Sequence, residues 1–160
     1  MSQDDVEILL TPKGHDKLAL RLEHLRHIQR HEVAQLIRDS KQFGDIAENA
    51  EYEDAKNQQA LVESQIAELR RVLQVAQILD EESIPTDYVG LGSIVQLTGL
   101  DNDDEWELTL VSPVEADPDN DYISDESPIG EAIVGRKVAD VVRVETPDGS
   151  VQYRVDSIRK

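Results

Sequence analysis

The chain has no cysteine among its 160 residues. Disulfides and thiolate metal sites are therefore excluded, and a reducing, cytoplasmic setting is the natural expectation. Aromatic residues are scarce at 4%, with one Trp and one Phe. That argues against a single large globular core and suits a helical part joined to a small second module. No apolar run approaches the ~20 residues of a membrane span. The acidic start, Met1 to Glu7, lacks the basic-then-apolar order of a secretory signal, so no membrane association is expected. A Gly-rich phosphate loop and a nucleophile elbow are both missing, and the second half holds no convergent catalytic set. The chain is thus expected to be no enzyme in its own right and to have no small-molecule substrate.

Basic side chains are also few, 16 against 34 acidic, for a net charge of −18. The imbalance is uneven: residues 1–80 carry 15 acidic and 10 basic groups, residues 81–160 carry 19 and 6. Free duplex nucleic acid is repelled by the second half. Any nucleic-acid contact has to be local, on the first half, and secured by a protein partner.

What is present divides by periodicity. Thr11-Pro12 reads as a helix start, with Thr11 as cap and Pro12 in the first turn. Leu18, Leu22 and Leu25 follow a helical spacing. Ile28, Val33, Leu36 and Ile37 continue it after a phase shift near Gln29 to His31, which predicts a local irregularity. The run stops at Phe43-Gly44. A second helix carries Ala55, Gln59, Val62, Ile66, Leu69, Leu73 and Ala76 in alternating steps of four and three. Two such helices with a short connection are antiparallel, reaching about 40 Å at 1.5 Å per residue. A polar stretch with Pro85 then loses the period. Beyond it the period becomes two: Ile94 to Leu97, then Trp106, Leu108 and Leu110 between Glu105, Glu107 and Thr109, predict strands. Ser127-Pro128 through Gly135 predicts a short helix with both ends signalled. Val141–Glu145 and Val151–Ile158 flank a Thr146-Pro147-Asp148-Gly149 turn and predict a hairpin. The fold class is α+β. A coiled-coil helical hairpin spans 1–80, a linker 81–90, and a mostly antiparallel β domain with one short helix 91–160.

The hairpin tip, residues 44–52, is Gly-Asp-Ile-Ala-Glu-Asn-Ala-Glu-Tyr. Asp45, Glu48 and Glu51 place three carboxylates at steps of three. If a helix begins near Asp45, that residue and Glu48 form an N-terminal capping arrangement favoured by the helix dipole. Two hard carboxylates near one point also suit Mg²⁺. Two are too few for a closed site, so other ligands have to come from a partner or from phosphate. Lys41 and Lys56, with Arg38, flank the tip, either as phosphate-neutralising groups or as a solvated helix surface. Tyr52 either stacks on a base or covers the hairpin end. His24, His27 and His31 have a spacing able to bind metal, but no carboxylate–histidine motif completes it.

These residues carry a resemblance. The 44–52 motif resembles the tip of the Gre family of bacterial transcript cleavage factors. Leu10-Thr11-Pro12-Lys13-Gly14 resembles that family's first helix start, and Lys56-Asn57-Gln58-Gln59 its basic-x-Gln-Gln run. Ser127 through Arg136 resembles the signature of its C-terminal domain, and Thr146-Pro147-Asp148-Gly149 its late turn. The acidic balance is closer to the GreA branch than to the more basic GreB branch. The family often has Pro after Arg30, where His31 stands here, so the bend of the first helix is not carried over.

The resemblance implies a fold and a role. The C-terminal domain is FKBP-like and docks on bacterial RNA polymerase, with Ser127 and Pro128 serving folding and docking together. The coiled coil enters the secondary channel and stimulates the polymerase's own Mg²⁺-dependent cleavage of backtracked RNA, rescuing arrested complexes. Asp45 and Glu48 are the implied catalytic and metal residues, with Mg²⁺ held jointly with the polymerase and none in the free protein. Asn49, Glu51 and Tyr52 support the tip, and Lys41 and Lys56 face the RNA 3′ end. The alternative is a secondary-channel regulator or inhibitor without cleavage activity. An FKBP-like fold does not by itself imply isomerase activity.

Overall fold

The computed structural model describes residues 7–43 and 49–160. They fall into two compact units: His15–Val75, and a second built from the segment ending at Gly14 together with Ala76–Lys160.

The first unit is the helical hairpin. Helix α1 runs Pro12–His24, a π-helical turn Leu25–Gln29 follows, and α2 runs Arg30–Ser40. A 3₁₀ turn, Lys41–Phe43, follows α2, and α3 spans Ala50–Val75. The expected irregularity is present, one turn earlier than Gln29 to His31. The amide of Arg30 donates to the carbonyl of Leu25, five residues back. Its physical reason lies in the apolar spacing. Leu25 and Val33 are eight apart, and eight residues at about 100° each overshoot two turns by roughly 80°. A π turn absorbs one extra residue, which returns Val33 to the face of Leu25. Both are buried, and they pack with Ile37 against Ala55, Val62 and Ile66 of α3. The same rephasing leaves Ile28 and Leu36, two members of the expected stripe, 46% and 47% exposed. Arg30 clamps the helices from outside, donating from Nε and an η nitrogen to Glu63 at 2.8 and 2.9 Å.

The strands of the sheet in the second unit are β3 Ile94–Gly99, β4 Glu105–Val111, β5 Tyr122–Ser124, β6 Val141–Thr146 and β7 Gly149–Arg159. Among the described residues their order is β5-β4-β3-β7-β6. All pairings are antiparallel except β4 with β5. Helix α4, Pro128–Ile133, covers one face. Ile133, with Ile129 and Ala132, packs on Val95, Leu97, Leu108, Leu110 and Val155. The α+β class and the mostly antiparallel sheet stand as expected. The short β5 was not expected, since its three residues, Tyr-Ile-Ser, are too few to show a period.

Two further features were not legible as periodicity. A pair of two-residue parallel strands, β1 Leu9–Leu10 and β2 Gln77–Ile78, joins the segment before α1 to the one after α3. Residues 81–90 contribute Ile84 and Val89 to the second unit, both buried. Val89 exchanges backbone hydrogen bonds with Arg136 and Gly135.

Two local devices hold this unit together. Glu115, only 8% exposed, accepts from the Thr11 amide at 2.8 Å and the Thr11 hydroxyl at 2.7 Å. Thr11 in turn caps α1 by accepting from Gly14 N at 3.0 Å. A Cβ on Gly14 would lie 2.1 Å from the Glu115 carboxyl carbon, so glycine is required for this approach. On the sheet, the β3–β7 register shifts between Gln96 and Leu97. The resulting bulge turns Asp156 toward the Thr98 hydroxyl and Arg154 Nε, the latter at 2.8 Å. The Thr98 hydroxyl first, and then the Arg154 guanidinium, hold the Asp156 carboxyl below its ordinary value of 3.8.

Glu115→Ala is expected to lower unfolding stability by about 1–3 kcal/mol, since it orphans a partly buried amide and hydroxyl; urea titration measures this. Because the folded pKa of Asp156 is depressed, its contribution is complete above the unfolded value and is lost as pH falls through the folded one. Thr98→Val should move the Asp156 midpoint upward in a carboxyl-carbon NMR titration.

Candidate functional site at the hairpin end

A helix leaves its first amides and its last carbonyls without intrahelical partners. Where two antiparallel helices turn, both sets face the connection. One side chain serves both here. Asn49 Oδ1 accepts from the amides of Glu51 and Tyr52 at 3.1 and 3.2 Å. Its Nδ2 donates to the carbonyl of Ser40, at the end of α2. The Ser40 hydroxyl is itself buried and donates to the Ile37 carbonyl at 2.9 Å. Asn49 thus caps α3 and ties it to α2.

Among the described residues α3 begins at Ala50 and Asn49 is its cap. An Asn immediately before a helical apolar period is itself a start signal; it was eclipsed by the two carboxylates ahead of it. Asp45 and Glu48 lie outside the described residues.

The remaining tip residues sort by burial. Tyr52 is half-buried on the Leu25–Ile37–Val62 core, so it covers the hairpin end. Glu51 is exposed in the first turn of α3 with Glu53, where the helix dipole favours negative charge. Lys41 is exposed in the 3₁₀ turn after α2. Lys56 is exposed on α3, with Nζ 3.3 Å from Gln59 Oε1. The structure therefore brings Asn49, Glu51, Tyr52 and Lys41 to the end of one hairpin, with Lys56 one to two turns further along α3. His24, His27 and His31 are exposed, and His27 Nε2 lies 2.9 Å from Glu23. Among the described residues no three His, Asp or Glu side chains form a metal-holding group.

Ser127 and Pro128 belong to the sheet unit and are built into its fold. Ser127 Oγ accepts from Gly130 N at 3.1 Å and donates to the Ser124 carbonyl at 2.6 Å. Pro128 is exposed in the first turn of α4. A Cβ on Gly130 would lie 2.0 Å from the Ser124 carbonyl oxygen, so α4 sits on the end of β5 without room for a side chain there.

With these two arrangements in view, comparison with known proteins is specific. A family model described as "Transcription elongation factor, N-terminal" matches residues 8–78. A second, "Transcription elongation factor, GreA/GreB, C-term", matches residues 84–160. The chain belongs to the GreA/GreB family of transcription elongation factors. Among its relatives, transcription elongation factor GreA of Alkaliphilus oremlandii is 47% identical, over 98% of each chain. GreA of Acetivibrio thermocellus is 44% identical over 96% of this chain and 97% of its own. The solved GreA factor homolog 1 (Gfh1) of Thermus thermophilus is 33% identical with a TM-score of 0.45, over 96% of this chain and 99% of that one. Family membership spans both units, so the hairpin end and the sheet unit belong to one transcription factor. No helix of the described residues is long and apolar enough to cross a membrane.

Asn49→Ala removes a cap and a bridge together, and is expected to cost about 1–2 kcal/mol. Amide exchange at Glu51 and Tyr52 should accelerate, while amides at Val62 and Ile66 stay protected. Asn49→Asp keeps the cap but cannot donate to Ser40, so it should fall between the two.

Proposed function

We propose that this protein binds bacterial RNA polymerase, inserts its helical hairpin into the secondary channel and stimulates the polymerase's own cleavage of backtracked RNA. The observation that carries the reading is the Gly44–Tyr52 sequence motif, whose described residue Asn49 caps α3 and ties it to α2. A seam of Leu25, Val33, Ile37, Val62 and Ile66 backs that end. A site that must be delivered to another protein's active centre needs such a rigid carrier. The protein acts as an accessory factor, in the cytoplasm, and the sheet unit docks on the polymerase through the α4 region that includes Ser127 and Pro128.

In this reading Asp45 and Glu48 hold Mg²⁺ jointly with the polymerase. The donor set fits: carboxylate oxygens are the ligands a hard cation takes, and Mg²⁺ is commonly held by one or two of them with phosphate completing the shell. Bound Mg²⁺ stabilises charge on the phosphodiester and lowers the pKa of its water. Asp45 and Glu48 supply negative charge and orient that water, and Glu51 adds to the local field. Lys41 and Lys56 face the RNA 3′ segment and offset phosphate charge. Asn49 and Tyr52 keep the turn in place.

Stalled, backtracked elongation complexes test this directly. Asp45→Ala or Glu48→Ala should lower the stimulated cleavage rate by about 100-fold or more, with polymerase binding changed by less than about twofold. The residual stimulation should respond to added Mg²⁺. Full cleavage by either variant would sink the assignment. Slowed nucleotide addition without short RNA fragments, from the unsubstituted protein, favours the regulator without cleavage instead.

A further inference from the structure

Helix α2 is short, and the π turn Leu25–Gln29 separates it from α1. Its 11 residues make about three turns. Its apolar side chains Val33 and Ile37 pack with Ala55, Val62 and Ile66 of α3. Burial of this kind is non-directional. It holds α2 against α3 without fixing how far along α3 the shorter helix sits. Directional ties have to do that.

Two such ties stand at opposite ends of α2. At the C-terminal end, Asn49 donates to the Ser40 carbonyl. At the N-terminal end, Arg30 donates to both oxygens of Glu63, at 2.8 and 2.9 Å. A guanidinium fork on a carboxylate is specific in distance and angle, as a point charge is not. The pairs Arg26–Glu23, His27–Glu23 and Arg71–Glu68 join residues three or four apart in the chain, so they tie no helix to another.

Arg30 has a second part in the same structure. Its amide donates to the Leu25 carbonyl, which closes the π turn. One residue therefore ends the turn through its main chain and anchors α2 to α3 through its side chain. Were the turn to relax to α geometry, the residues after it would leave the seam by roughly the 80° it absorbs.

We propose, resting on the reading that the hairpin serves transcript cleavage, that Arg30 and Glu63 are positioning residues for that reaction. Their clamp pins the π turn and the axial register of α2 on α3, and so sets where the hairpin end stands in the polymerase's active centre. The pair acts through the hairpin and does not meet the reacting atoms. Asp45 and Glu48 follow α2 in the sequence, so a slide of α2 is passed to the segment that bears them. A misplacement of about 1 Å at the chemistry costs on the order of 100-fold. Both side chains are about half-exposed, so the clamp matters more to rate than to stability.

Stimulated cleavage by the full-length protein, measured on stalled complexes across factor concentration, tests this. Arg30→Ala and Glu63→Ala should each lower the maximal cleavage rate by about tenfold or more. The half-saturating concentration should change by less than about twofold, with circular dichroism unchanged. Arg30→Lys keeps the charge without the fork and should fall between. Arg30→Glu combined with Glu63→Arg should recover most of the rate that Arg30→Glu alone loses. The chain has no cysteine, so spin labels at Glu32→Cys and Asn57→Cys, both exposed positions, report α2 against α3. Their distance distribution should shift or broaden in Glu63→Ala and return in the exchanged pair. Unchanged maximal rates in both alanine variants overturn the positioning role. So does a loss seen only in the half-saturating concentration, or an exchanged pair that regains the label distance but no rate. An unsubstituted protein that stimulates no cleavage sinks the cleavage reading and this role with it, whereas the other outcomes leave that reading intact.

Discussion

Two helices can run antiparallel only if the backbone groups at their facing ends find partners, and in this chain one asparagine meets that demand on both sides. Asn49 takes the first free amides of α3 on its oxygen and gives its own amide protons to the last turn of α2. The register set there allows Tyr52 to close over the seam. It also sets Arg30 opposite Glu63 further along, where a bidentate pair spans the two helices.

The seam itself shows how a helix reconciles an imperfect repeat with a continuous core. An eight-residue step between Leu25 and Val33 cannot stay on one face of an ideal α-helix. The π turn over Leu25–Gln29 absorbs the mismatch. Its consequence is exposure elsewhere, at Ile28 and Leu36. Leu36 then lines two neighbouring hollows on the outside of the helix pair, so a correction made for the core shapes the outer surface.

The sheet unit relies on close approaches instead of a long seam. Glu115 reaches Thr11 because residue 14 is glycine, and α4 reaches β5 because residue 130 is glycine. Ser127 joins the two roles implied for the α4 region, as helix cap and as a residue of the proposed docking surface. A substitution there would disturb the fold and the surface at once.

Much of this was legible in the chain alone. The period of three and four residues specifies helices, the period of two specifies strands, and the change between them separates the parts. Those patterns depend on local geometry, which each residue carries with it. The Gly44–Tyr52 motif likewise carried the resemblance to a family whose models match both parts of the chain. What local pattern could not determine were choices between equivalent local solutions. Asn49 is the cap of α3, and its side chain also meets a carbonyl nine residues earlier, a partner that no local pattern announces. The phase slip in the apolar spacing announced an irregularity, but only packing against α3 decided which turn absorbed it. The two-residue strands β1 and β2 are too short to have a period. The bonds from Glu115 to Thr11 join residues 104 apart. Such contacts exist only once the chain has folded, because no sequence window is long enough to contain both partners.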